Sequence, residues 1–269
     1  MKEAIKNRIS VRSYEKRPLS EHDEKKVQRI LDEVQKKKGP FGHKARFFTR
    51  PSKIEGGKTL GTYGFIKHPP YFIGGVIENT FKGMVDYGFL FEEVILRLTR
   101  EAFGTVWLGG TFKRSHFEFE VDMEEGEIIP AISPVGYSAE RSMREKILRG
   151  FAKAKTRKPF EELFFTPSLD PVDKHHVFFE YLELLRLAPS ASNKQPWRVV
   201  VEDNVFHLYL SRTDGYAKHL PTDIQAIDIG IALSHLYLPV AEDGYTPEFV
   251  NETPVDLDGC EYVVSLKVT

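Results

Sequence analysis

The sequence predicts an α+β fold built from two similar halves, and three observations carry that reading. Two long helical stretches, 82–103 and 222–241, are apolar on more than one face, as helices at the centre of a core are. Each follows a pair of strand-like runs and precedes another. The stretch "VDYGFLFEEVILRL" also echoes "AIDIGIALSHLYL" through Asp86-x-Gly88 and Asp228-x-Gly230. Such self-similarity points to two fused half-copies, 1–158 and 159–269, with mixed or antiparallel sheets around long central helices.

The elements follow in order. Ser20 is a helix N-cap ahead of Val27, Ile30, Leu31 and Val34, and Gly39-Pro40 closes that helix, its last turn carrying Lys36 to Lys38. "ARFFTRPS" is a short strand and 45–67 is loop or broken strand. "PPYFIGGVIE" from Pro69 is a buried strand. The helix 82–103 stops at Gly104. "TVWLGG" is a strand running into a glycine pair, and "GEIIPAISPVGY" is an edge strand with prolines. After a basic connector, Asp170-Pro171 starts a helix that ends in "LLRLAPS". "WRVVVED" and "VFHLYLS" are strands joined by an Asp203-Asn204 turn. The helix from Thr222 is kinked or shortened by Pro239, and "EYVVSLKV" is the last strand.

Composition narrows the function. The 269 residues are 41% hydrophobic, with 20 Phe and 11 Tyr, enough for a substantial core. Thirty-eight basic against 39 acidic residues give a net charge of −1 with no basic concentration, which argues against nucleic acid as a partner. The one cysteine, Cys260, excludes an intramolecular disulfide and a thiolate metal cluster, and is expected in the core. "MKEAIKNRIS" lacks an apolar signal core, and no stretch approaches about 18 consecutive apolar residues, so no membrane role and a cytoplasmic location are expected.

Two short stretches carry chemistry: "RISVR" at Arg8 to Arg12 and "APSASNKQPW" from Ala188 to Trp197. Together they resemble the FMN-dependent nitroreductase family, whose members carry an Arg-x-Ser-x-basic element at the start and an APS-x-x-N-x-QPW element after the next helix. "YGFLFEEVILRLTREAFGTVWLGG" is similar to the family's long core helix and following turn, "AISPVGY" to the next strand, and "KAKTRKPFEEL" to its basic tail. The resemblance covers most of 1–165 and, separately, 170–268. It implies a nitroreductase-like fold in a divergent, fused form.

The departures from the family pattern are complementary. The first half has the Arg-Ser element but "KGPFGHKARFF" where the second motif belongs; the second half has that motif without an Arg-Ser element. In the family each flavin lies at a homodimer interface and takes one element from each subunit. The resemblance therefore implies a pseudo-dimer with one shared FMN site, for which a monomer suffices. By position, Arg8 and Ser10 would hold the phosphate and ribityl end or the pyrimidine edge, and Arg12 would stabilise the reduced ring's negative charge. Lys155 and Arg157 occupy the phosphate-binding tail. Gly109 and Gly110 would let backbone N–H groups approach the ring. Pro189, Ser190 and Ala191 would line one ring face, Asn193 and Gln195 would supply amide hydrogen bonds, and Trp197 would pack beneath.

The residue types suit that ligand. Arg8, Ser10 and Arg12 alternate, so on an extended segment all three side chains point one way, and a hydroxyl between two guanidinium groups suits a phosphate or a polarised carbonyl. NAD(P)H is the implied electron donor and a nitroaromatic, quinone or similar small molecule the acceptor; no side chain need act as catalytic acid, base or nucleophile, and no metal is implied. Taken singly, "RISVR" reads as a solvated helix end, Lys155 and Arg157 as surface charge and the glycine pair as a turn. "EGGKT" lacks the spacing and strand-to-helix context of a phosphate loop, and the adjacent His175 and His176 do not make an i, i+4 metal pair. A silent flavin- or small-ligand-binding sensor with the same fold, or an interaction protein without flavin, are the alternative readings.

Overall fold

In the computed structural model the structure describes residues 1–52, 64–119, 121–139 and 157–269. The first half comprises α1 (Lys2–Asn7), α2 (Glu21–Val34), β1 (Arg46–Pro51), β2 (Tyr71–Glu78), α3 (Phe81–Arg100), β3 (Gly104–Thr105), α4 (Ser115–Glu118), β4 (Glu127–Ile128) and β5 (Ile132–Gly136). The second comprises β6 (Phe164–Phe165), α5 (Phe179–Arg186), β7 (Trp197–Glu202), β8 (Val205–Leu210), α6 (Ile224–Glu242), β9 (Pro247–Val250) and β10 (Glu261–Val268).

Each half folds as an α+β unit, and the two sheets repeat one order. The first runs β1-β2-β5-β3 with β4 on β2, and the second runs β6-β7-β8-β10-β9. In both, two consecutive strands sit beside the last strand of the half, and the short strand that follows the long helix lies next to that. All pairings are antiparallel except β6, which adds parallel to β7 through Phe164↔Val199 and Phe165↔Val200. The central strands β2 and β8 are buried on both faces, which is why they read as unbroken apolar runs rather than alternating ones.

The capping residues set the helix starts. Ser20 accepts from Asp23 N, Thr80 from Gly83 N, and Asp223 from Gln225 N and Ala226 N, each satisfying donors that a helix leaves open. The helix stops differ from expectation. α2 ends at Val34, so Lys36 to Lys38 follow it, and Lys37 Nζ reaches Glu93 Oε1 at 2.6 Å. α3 ends four residues before Gly104: Phe103 N donates to Leu98 O and Ala102 N to Thr99 O, with Ala102 at φ 64°. Gly104 serves another purpose, because a Cβ there would meet Val11 at 2.9 Å. Replacing Ala102 by Gly is expected to stabilise the protein by about 1 kcal/mol, read by urea unfolding, since glycine takes the left-handed backbone without a Cβ clash.

Other expectations are corrected. Asp170-Pro171 starts no helix; Thr166 N donates to Asp170 O and Val172 N to Phe164 O, folding the segment back on β6, and the helix begins at Phe179. The glycine pair follows only a two-residue strand, and Pro130 divides "GEIIPAISPVGY" into β4 and β5. α6 runs on through Pro239 to Glu242, so the proline neither ends nor shortens it at that point. Cys260 is half-buried rather than in the core. α6 is also long and apolar enough to cross a membrane, with mean hydropathy 1.4, but 83% of that stretch is buried against the rest of the chain.

The two long helices meet at their glycines. A Cβ on Gly88 would lie 2.1 Å from Ile227 O, and one on Gly230 would lie 2.0 Å from Val85 O. Each glycine thus touches the carbonyl three residues before the other, a reciprocal contact of the kind a two-fold axis generates. One apolar core spans both halves across this crossing, joining Ile77, Tyr87, Phe91, Trp197 and Leu233.

Candidate functional site

The Asp-x-Gly echo has a tertiary counterpart on either side of the crossing. Asp86 Oδ1 accepts from Phe41 N at 2.8 Å and Asp86 Oδ2 from His43 N at 2.9 Å, so this buried carboxylate organises the loop ahead of β1. Asp228 receives Ala191 N on both oxygens, at 3.0 and 3.2 Å, organising the loop ahead of β7. Burial pushes both carboxyls above their ordinary range, Asp228 the more strongly.

The loop that Asp228 holds is the "APSASNKQPW" stretch, and it is conformationally strained. Ser192, Asn193 and Gln195 adopt φ of 48°, 58° and 49°, a left-handed region costly for residues with a Cβ and found where a loop is over-determined by its surroundings. Ser190 Oγ accepts from Gln195 N at 2.9 Å. Gln195 is buried; its Oε1 accepts from Lys158 N at 2.9 Å and its Nε2 donates to Asn193 O at 3.2 Å, so its amide ties the end of the first half onto the loop. Pro189 and Ala191 stay half-buried at the loop's start. Trp197 is fully buried beneath, as expected.

Arg157 enters the same place. Its Nη1 donates to Asn193 Oδ1 at 2.7 Å and its Nη2 to Leu187 O at 2.8 Å. Burial first, and then the like charges of Arg8 and Arg186, together lower its pKa to about 10. Arg8 arrives from the opposite end of the chain as the C-cap of α1. Its side chain is 9% exposed, burial pulls its pKa down, and only Glu92, 3.9 Å from Nε, acts the other way. Arg8, Arg157 and Arg186 thus lie near one another, with Glu92 beside Arg8 and Glu183 paired to Arg186 at 2.6 Å, and Arg8 Nε has no hydrogen-bond partner among the described residues. A dianionic phosphate fits this cluster: it supplies acceptors and relieves the repulsion.

The remaining expected residues are divided. Ser10 and Arg12 are exposed while Arg8 turns inward, so the three do not form one triplet: Val11 and Tyr14 occupy the core side of the segment, and Ser10 pairs with Thr105. Arg12 makes backbone contact through Lys67 N but no side-chain hydrogen bond or ion pair among the described residues. Gly109 and Gly110 do face the second half, yet their open sides are filled: a Cβ would meet Ile224 at 2.8 Å and Leu220 at 3.3 Å. The loop carrying Leu220 also carries Tyr216, whose hydroxyl donates to Ser192 Oγ at 2.9 Å. Lys155 lies outside the described residues.

Comparison with known proteins bears on the family and the fold. A profile of the family described as "Putative TM nitroreductase" matches residues 1–240. The chain belongs to this family. Its nitroreductase-like fold is shared with a "putative nitroreductase" of Thermotoga maritima at 22% identity and TM-score 0.63, covering 99% of this chain and 92% of that one. A nitroreductase family protein of Clostridium difficile matches at 20% identity and TM-score 0.44, over 60% of this chain and 95% of its own. An FMN-dependent nitroreductase of Clostridium difficile matches at 14% identity and TM-score 0.39, over 53% and 90%. No curated protein matches.

In this nitroreductase-family chain the sequence reading missed the groups beneath Arg8. Glu92, fully buried on α3, accepts from Trp107 Nε1 at 2.6 Å and lies 2.9 Å from His235 Nε2 on α6. The available signal was a glutamate and a histidine inside helices otherwise nearly all apolar, positions where such residues are rarely tolerated without partners. Asp228 offers a separate test. Its folded pKa is raised above the unfolded value, so the stability it contributes is fully present below the unfolded pKa and is lost as pH rises through the folded one. Asp228→Asn keeps an acceptor for Ala191 N and is expected to flatten that decline, giving a variant that gains on the wild type as pH rises. Thermal melts from acid to neutral pH read the effect, and parallel curves would refute it.

Proposed function

We propose that this protein is an FMN-dependent oxidoreductase in which the halves, divided after residue 158, share one flavin site, so that a single chain suffices. The observation that carries the reading is the convergence of Arg8 from the amino terminus with Arg157 and the exposed Asn193 from the far segment, the two arginines half-buried and Arg8 with Glu92 as its only close carboxylate among the described residues. Arg8 and Arg157, with Lys155 by position, hold the phosphate. The strained loop from Pro189 to Gln195, kept in shape by Asp228, presents its backbone and Ser190 to the flavin, while Ser10 and Arg12 remain exposed for the ribityl chain and pyrimidine edge. The redox chemistry, hydride uptake from NAD(P)H and delivery to a nitroaromatic, quinone or similar small acceptor, is supplied by FMN when bound. No side chain of the chain needs to act as acid, base or nucleophile.

The test is a visible spectrum of protein incubated with FMN and desalted, followed by NAD(P)H oxidation with a quinone. Retained yellow colour and turnover support the reading; a colourless protein that leaves FMN fluorescence unquenched overturns it. One observation favours a second reading, a flavin- or small-ligand-binding sensor without turnover: Leu220 and Ile224 fill the space beside Gly109 and Gly110 where a ring and its acceptor need access. A yellow protein inactive with every acceptor selects that reading.

A further inference from the structure

Glu92 and His235 are fully buried titratable residues that the flavin chemistry leaves unused. They lie 143 positions apart, one on each of the two crossing helices. Glu92 Oε1 is 2.9 Å from His235 Nε2 but 3.9 Å from Arg8 Nε, and Glu92 Oε2 accepts the Trp107 indole N–H at 2.6 Å. His235 Nδ1 is 3.1 Å from Leu184 O; a carbonyl only accepts, so Nδ1 donates there, and Nε2 must donate as well for a carboxylate Oε1 to accept from it. Only the histidine and indole contacts are within hydrogen-bond range.

Arg8 therefore sits beside a buried carboxylate without being captured by it. That arrangement is unusual, because a guanidinium and a carboxylate this close in a water-poor interior attract strongly, and their forked pairing is among the strongest polar contacts available. Each carboxylate oxygen has two acceptor sites, so occupancy alone does not exclude Arg8; what holds Glu92 back is its orientation, Oε2 being tied to Trp107 and Oε1 to His235.

We propose that His235 is a positioning residue for the anion site: by holding Oε1 of Glu92 toward α6 it keeps the carboxylate from turning and closing on Arg8 and leaves that guanidinium to the phosphate. This rests on the flavin reading of the same cluster. Without the imidazole, Glu92 and Arg8 close into a forked pair, and the donors of Arg8 are lost to a ligand.

A double-mutant cycle with His235→Leu and Glu92→Gln tests it, with FMN fluorescence quenching as one readout and the Arg8 Nε–H resonance of the ligand-free protein as another. His235→Leu is expected to weaken FMN binding about tenfold or more, the loss of one charge-assisted contact. Glu92→Gln, lacking a carboxylate to compete for Arg8, is expected to bind at least as tightly as the wild type. The double variant should return to within about threefold of the wild type, whereas a purely structural role for His235 leaves it as weak as His235→Leu. Unchanged binding in His235→Leu, weaker binding in Glu92→Gln or no recovery in the double variant each overturns the proposal. If His235→Leu does not fold, the Glu92→Gln arm decides alone. If the wild type binds no FMN, the functional reading falls, while a shifted and exchange-protected Arg8 Nε–H in His235→Leu still reports closure, and an unmoved one refutes it.

Discussion

On the proposed flavin reading, Arg157→Gln is expected to raise the dissociation constant for FMN about 10- to 100-fold, the range expected when one or two charge-assisted hydrogen bonds to a phosphate are lost. The effect is large because the arginine is already oriented before any ligand arrives. Its two donated bonds, to Asn193 Oδ1 and Leu187 O, fix the guanidinium plane against the strained loop. The positive charge is also poorly compensated, with Arg8 and Arg186 opposing it and burial limiting water's screening. Glutamine retains a donor for Asn193, so the loop keeps its anchor while the charge is removed. Fluorescence-quenching titrations at several salt concentrations measure the change, and the variant should show a shallower salt dependence than the wild type. An unchanged dissociation constant would place the phosphate elsewhere.

Gly230→Ala lowers the melting temperature by roughly 5–10 °C, as expected for overpacking worth about 3 kcal/mol in a chain of this size. The new methyl would stand 2.0 Å from Val85 O and 2.6 Å from Phe89 N, both backbone atoms, so no side-chain rotation relieves it and the helices must separate. Gly88→Ala, with its methyl 2.1 Å from Ile227 O, should behave alike because the contact is reciprocal. Combining the two should cost less than the sum of the single effects, since the first separation opens room for the second methyl. Differential scanning calorimetry of the three variants reads both points. Separation should also loosen the contact between Glu92 and His235, which face each other across the same pair of helices.

Much of this architecture was legible in the chain. The strands β1, β2, β7, β8 and β10 were readable because their apolar runs are short and bounded by turn residues, and the two long helices because so few positions interrupt their apolar character. Helix ends were less legible. α3 ends at Arg100 and is turned off by Ala102, a residue with no special liking for its left-handed backbone, so nothing local marked the stop and the nearby Gly104 drew the boundary instead. The error at Asp170-Pro171 has the same origin: the pair suits a helix start, but the pairing with β6 and the reversal at Leu169 outweighed that preference.

The site divides along a similar line. Arg8, Arg157, Ser190, Asn193 and Gln195 were identifiable because their types and order carry a pattern, and the structure gathers Arg8 and Arg157 with the loop bearing the other three. Their individual duties were not identifiable. Gln195 is turned inward onto Lys158 N, and Ser10 and Arg12 stay exposed while Arg8 is buried, distinctions that depend on which neighbour lies on the far side of each backbone.

By itself the sequence determined the class of fold, the two-part organisation and the residue types available to an anionic ligand, since these follow from periodicity, composition and short-range motifs. Only the tertiary structure decided that Gly88 meets Ile227 O, that His235 meets Glu92 and that Arg8 approaches Arg157. Those pairs lie more than 130 positions apart, and chain separation carries no information about contact until the helices have packed: a buried charge announces that it needs a partner, but packing alone chooses which one.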